Sequence, residues 1–206
     1  MERHVNRTWA WPCVALLVGV LIGGIATQST RWISSLQDFR MLLFLRTETG
    51  STRTAKLLLR HAKDYDIPPL AFAAIIWQES KFKANASGIR PKGAMGAGES
   101  DRGMGGMWSV RAAEIAENIW HDKELADLIR SRPQILYQPD LNLDLTAANH
   151  RDLLDTHKSV HDIFDAYKFH NAGESGKGSL KNVTAVKDRY YHYRRKYDAF
   201  NWRKAR

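Results

Sequence analysis

Between Thr8 and Thr30 the chain carries no charged residue, and the centre of that stretch, Cys13 to Ala26, holds only apolar and small side chains. About 20 such residues, at 1.5 Å of helix each, cross the hydrocarbon core of a bilayer. The chain is therefore expected to divide into an N-terminal membrane helix over about residues 9–27 and a polar remainder. Arg3 and Arg7 precede the apolar run as they would in a secretory signal. Ile25-Ala26-Thr27, however, is a poor small-x-small cleavage site, and the run exceeds a usual signal core, so the reading is an uncleaved anchor. Arginines flank it on both sides (Arg3 and Arg7; Arg31, Arg40 and Arg46), so the positive-inside rule does not fix its orientation. The expected organisation is an anchor over 1–30, a linker over 31–51 with an interfacial helix near Phe39 to Leu45, a globular domain over 52–200, and a basic tail over 201–206.

Past the linker the spacing of apolar residues is helical. Ala55, Leu58, Leu59, Ala62 and Tyr65 fall on one face. Pro68 and Pro69 end that helix and open the next, proline being tolerated in a first turn. Helices resume from Ser109, and Pro139 begins one running through Leu141, Leu145 and Ala148 towards Leu153 and Leu154. Ser159 offers an N-cap for Val160, Ile163, Phe164 and Tyr167, and Val183, Val186, Tyr190, Tyr193 and Tyr197 line a last helix. Ala84 to Trp108 is rich in glycine and reads as one long loop, a feature of functional or disordered segments. No segment alternates as a strand does, so the predicted class is mainly α. With 44% hydrophobic and 26% charged residues the chain can bury one core and is not disordered. Its one cysteine, Cys13, allows no intramolecular disulfide. A net charge of +9 favours an anionic partner: a wall polymer, acidic lipid or nucleic acid.

Glu79 ends the apolar segment Leu70 to Gln78 and is followed by Ser80. Apolar surroundings disfavour the charged form of a carboxylate, which is what a general acid requires. The competing reading is an ordinary solvated glutamate at a helix end.

Other motifs carry less. Gly173 to Ser179 looks like a phosphate loop, but Asn171 occupies the place of the first glycine, Gly178 that of the magnesium-binding hydroxyl, and no strand precedes it. His157 and His161 share a helix face, yet Lys158 replaces the glutamate of a zinc-protease motif and no third ligand is spaced nearby. No metal or cofactor is expected. The cations of the last helix (Lys187, Arg189, Arg194, Arg195, Lys196) are read as facing water or an anionic surface, with no nucleic-acid partner.

Three pieces in order resemble soluble-type lytic transglycosylases, lysozyme-like enzymes that cleave peptidoglycan. They are Gln78-Glu79-Ser80-x-Phe82, the segment from Leu136 to Asp155, and His170-Asn171-Ala172-Gly173. The resemblance covers roughly residues 55 to 198 and implies a lysozyme-like transglycosylase domain. By it, Glu79 is the catalytic acid and Ser80 its neighbouring hydroxyl. Met107 matches the methionine of a Gly-Leu-Met-Gln segment seen here as Gly105-Gly106-Met107-Trp108, and Asn171 and Gly173 match the end of a Tyr-Asn-Ala-Gly loop lining the sugar cleft. Trp108 stands where the family has glutamine, His170 where it has tyrosine, and Asn182 where a tyrosine precedes the Val-x-x-Val pattern of Val183 and Val186.

The implied reaction needs one carboxylate. Glu79 protonates the bridge oxygen between N-acetylmuramic acid and N-acetylglucosamine, then takes the proton of the muramyl 6-hydroxyl as a 1,6-anhydro ring closes. Two rivals stand beside this lyase. Asp101-Arg102-Gly103 resembles the acidic segment of goose-type lysozymes, and Asp101 at roughly 6.5 to 9.5 Å from Glu79 would suit an inverting hydrolase. With its cleft residues changed, the domain is alternatively a non-catalytic glycan-binding scaffold. The partners implied are glycan strands and the lipid bilayer, and the expected place is the bacterial inner membrane, single-pass, with the domain in the periplasm or facing the wall.

Overall fold

The computed structural model describes residues 35–89, 100–172 and 180–203. The chain divides after Met41 into two compact units, and the elements named below belong to the second, Leu42–Arg206. The expected membrane helix lies outside the described residues. Among those described, no helix is long and apolar enough to cross a membrane. The fold is mainly helical.

Helix α1 (Thr52–Asp64) begins where the Ser51 hydroxyl accepts the Thr54 N–H at 3.2 Å, an N-cap. Its buried stripe is Ala55, Leu57, Leu58, His61 and Ala62. Helix α2 (Pro69–Ser80) starts on a proline whose missing N–H has no partner to lose there. Every residue from Leu70 to Ile76 is buried, so this stretch has no solvent face. It packs against α1 and against the last helix, α7 (Leu180–Arg203). Each fully buried Leu, Ile or Phe contributes about 1.5–3 kcal/mol, so this short helix is held by packing more than by its own propensity.

Residues 42–49 are helical, in line with the helix expected near Phe39 to Leu45, but they belong to the folded unit and not to a linker. Phe44 is 2% exposed and meets the rings of Tyr193 and Tyr197 edge-on at 6.2 and 5.5 Å, while Glu48 pairs with Lys196.

The glycine-rich segment, expected to be loop throughout, contains a two-stranded antiparallel ribbon. Strand β1 (Ser87–Ile89) pairs with β2 (Ser100–Arg102), Gly88 lying opposite Asp101. Ser-Gly-Ile and Ser-Asp-Arg carry no alternating apolar pattern, which is why periodicity misses the ribbon. Arg102 and Met107 then exchange two backbone hydrogen bonds of 3.0 Å, closing a tight turn over residues 103–106.

Helices α3 (Ser109–Asn118), α4 (Lys123–Ser131) and α5 (Pro139–Thr156), with a 3-10 turn at Pro133–Tyr137, enclose a core of Met107, Ile115, Ile129, Leu136 and Leu145. Alanines at 112, 113, 116, 126 and 148 let these helices approach closely. Helix α6 (Ile163–Ala172) follows. The sequence assigns its cap to Ser159; the cap is instead Asp162, whose carboxylate accepts the N–H groups of Phe164 and Asp165 at 2.9 and 2.8 Å. A carboxylate accepts two donors at a helix start and is favoured there by the helix dipole.

Candidate active site

Glu79 lies in the last turn of α2, above Ile75 and Ile76, neither of which has any exposure. Its neighbour Ser80 is 5% exposed and donates its hydroxyl to the Ile76 carbonyl at 3.0 Å, so that hydroxyl is turned into the helix. The carboxylate itself is partly buried, and three contacts from two separate segments reach it.

The first is the tight turn after β2. Gly106 adopts φ +62°, and a Cβ at this position would stand 2.6 Å from Glu79 Oε2, so the backbone passes directly against the carboxylate. Helix α5 fixes that turn. Asn142, fully buried, accepts the Gly105 N–H at 2.6 Å and donates to the Arg102 carbonyl at 2.8 Å. One turn later Thr146 packs so tightly on Gly105 that a Cβ there would lie 1.9 Å from its Oγ1. Only residues without a side chain fit at both glycines.

The second and third contacts come from α6, four residues apart on one face. Asn171 Nδ2 donates to Glu79 Oε1 at 3.4 Å and to the Tyr167 carbonyl at 3.2 Å. The Tyr167 hydroxyl, on a side chain only 1% exposed, lies within electrostatic reach of Glu79. Burial first, then the negative charge of Glu79, push the Tyr167 hydroxyl far above its ordinary pKa. It stays protonated at any working pH. Glu79 is thus a carboxylate with an amide donor and a buried hydroxyl on one side and a glycine backbone on the other, an arrangement suited to general acid and base work.

No protein-family model, curated protein or solved structure matches this chain. The chemistry therefore rests on the residues themselves.

The other expected residues are distributed as follows. Met107 is fully buried in the core cluster, which leaves its side chain no surface to offer a ligand; it anchors the turn that carries Gly106. Trp108, 8% exposed, sits at the start of α3 and is likewise mostly enclosed. Asp101 lies at the centre of β2, next to Arg102, which pairs with Met107. His170 is partly buried, and Gly173 lies outside the described residues, as does the rest of the phosphate-loop-like segment. Among the described residues no group of three or more His, Cys, Asp or Glu is placed to hold a metal ion.

Behind Tyr167 stands a second layer. His150, without any exposure, stacks on Tyr167 at 6.5 Å and on His170 at 5.1 Å. Asn149 joins the same layer, its Oδ1 accepting from Arg111 Nε at 2.8 Å and its Nδ2 donating to His170 Nδ1 at 2.9 Å. The Arg111 guanidinium also pairs with Asp152 at 2.7 Å. His150 Nδ1 donates to the Thr146 carbonyl at 2.7 Å, while its Nε2 has no hydrogen-bond partner among the described residues. A proton on Nε2 would be buried unpaired, and burial accordingly lowers the His150 pKa from 6.5 to about 4. The unfolded chain takes up this proton first as pH falls. The stability His150 confers is therefore complete above about pH 6.5 and is lost progressively towards pH 4, by about 3 kcal/mol. Urea unfolding at pH 7.5 and 4.5 should show that loss. His150→Gln, which retains a donor for Thr146, should flatten it, and an equally steep pH dependence in the variant would exclude His150 as the cause.

Tyr167 is the site residue that sequence reading does not assign. Its place four residues before Asn171 marks it, since i and i+4 share a helix face, but its places three residues after Phe164 and seven after Val160 read as ordinary core.

Proposed function

We propose that this chain is a membrane-anchored peptidoglycan lytic transglycosylase with a lysozyme-like domain, acting at the bacterial inner membrane with that domain facing the wall. The observation that carries the reading is the meeting at Glu79 of the Gly106 turn and of Asn171, two segments distant in sequence that both belong to the quoted motifs. A solvated helix-end glutamate has no reason to receive a glycine backbone against one oxygen and a side-chain amide against the other.

In this reading Glu79 gives its proton to the bridge oxygen as the bond to the muramyl anomeric carbon breaks. The N-acetyl group of the same sugar supports the positive charge that develops. The carboxylate so formed removes the proton of the 6-hydroxyl, whose oxygen closes the 1,6-anhydro ring, and the enzyme returns to its starting protonation. Asn171 donates to the carboxylate in its basic phase, when its charge is greatest, and so holds it in place for the second transfer. The reaction consumes no water and calls on no cofactor.

Mass spectrometry of fragments released from purified wall sacculi by the full-length chain tests this. Fragments ending in 1,6-anhydro-N-acetylmuramic acid are expected. Reducing ends would instead assign hydrolysis, with Asp101 as the second carboxylate, and binding without release would make the domain a glycan-binding scaffold.

A further inference from the structure

Two residues before the acid, Trp77 carries two cations on its ring. Lys81 Nζ lies 3.4 Å from the ring centroid and the Arg189 guanidinium carbon also 3.4 Å. A cation gains from the face of an indole ring, but two cations gathered on one ring repel each other. Burial first and then Arg189 lower the Lys81 pKa, with Glu79 acting in the opposite direction. Lys81 is nevertheless exposed, so a ligand can reach it.

The backbone adds an independent observation. Lys81 is the C-cap of α2 in the left-handed region, φ 55° and ψ 37°, and Phe82 follows at φ 64°. Glycine is the ordinary residue at such a cap, because a Cβ there costs conformational energy. Here the strained position carries a long cationic side chain, laid back over the last turn of the helix that presents the acid.

We propose that Lys81 and Arg189, ordered on Trp77, form an anion subsite on the end of the helix that presents Glu79, and that it takes a carboxylate of the glycan substrate. This rests on the reading of Glu79 as an acid acting on peptidoglycan, and deepens it by giving a reason to prefer wall glycan over neutral N-acetylglucosamine polymers. The carboxylate has two sources. In strands stripped of peptide it is the free lactyl group of the muramic acid; where a stem peptide is attached that group is an amide, and the carboxylates are those of the peptide. Arg189 can receive either in a two-pronged fashion and Lys81 as a point charge.

The test uses the full-length chain carrying Glu79→Gln, so that ligand is not consumed. Its binding is measured to peptide-bearing strands, to amidase-stripped strands, and to an N-acetylglucosamine oligomer that has no carboxylate. Lys81→Gly and Arg189→Gln are each expected to weaken binding to a carboxylate-bearing strand about tenfold while leaving the neutral oligomer unchanged. A loss confined to stripped strands identifies the lactyl group, and one confined to peptide-bearing strands identifies the stem; either supports the subsite. Equal loss on all three ligands, no loss on any, or a parent that binds the neutral oligomer as well as the others overturns it. Lys81→Gly removes the strained Cβ and should melt no lower than the parent, which separates lost recognition from a damaged fold. If the selectivity holds but the wild-type chain releases no fragments, the catalytic reading fails and the subsite stands.

Discussion

Glu79→Gln is expected to slow the release of soluble fragments from sacculi by about 10³-fold, within the range of 10²–10⁴ that a positioned acid or base contributes. In the proposed reaction the loss strikes twice, because the same carboxyl would both give a proton to the leaving oxygen and take one from the attacking hydroxyl. Glutamine keeps the shape of the side chain and an oxygen for Asn171 to address, so the fold should be preserved. Equal melting temperatures for the two forms, alongside the collapse in rate, place the defect in chemistry. A variant that retains its rate within tenfold would remove Glu79 from the mechanism and with it the proposed function.

How much of this was legible in the sequence depends on what kind of force made each part. The long helices were, because their apolar residues recur at helical spacing and are bounded by proline; α2 and α5 begin at the prolines that mark them. The ribbon was not, since Ser87–Ile89 and Ser100–Arg102 are held by main-chain hydrogen bonds that leave no side-chain pattern. The helix near Phe39 to Leu45 was legible, but the place of residues 42–49 in the folded unit was not: Phe44 finds its aromatic partners on α7, about 150 positions away, and a local pattern does not reveal a distant partner. Within the site, Glu79 and Asn171 stood in motifs, and the structure joins them. Tyr167 and His150 were masked by burial. An aromatic or a histidine on a buried helix face reads as core, and only the tertiary fold brings the tyrosine hydroxyl within reach of a carboxylate. Met107 was legible as a motif residue but not in its role, which is to pin the turn from beneath.

The pinned turn supplies the second large expectation. Gly106→Ala should lower turnover by about 10²-fold and stability by about 1–2 kcal/mol. The stability loss comes from placing an L side chain at φ +62°, and the rate loss from the 2.6 Å between its Cβ and Glu79 Oε2 and the 3.3 Å to Glu79 Cδ. Arg102 and Met107 clamp the turn on one side and Asn142 holds its Gly105 N–H on the other, so the backbone has little room to retreat. The carboxylate must therefore be the group that moves, away from Asn171, and a displacement near 1 Å at a reacting atom is enough for a loss of this size. Gly88→Ala, in β1 of the adjoining ribbon, is the control, since nothing lies within 4 Å of its added Cβ and its rate should be unchanged. Steady-state release from sacculi and thermal unfolding of both variants check the pair. A Gly106→Ala variant that melts lower but turns over normally would mean that the turn supports the fold without positioning the acid. Full activity and full stability together would mean that the close approach at Glu79 relaxes without consequence, and that the acid owes its position to α6 alone.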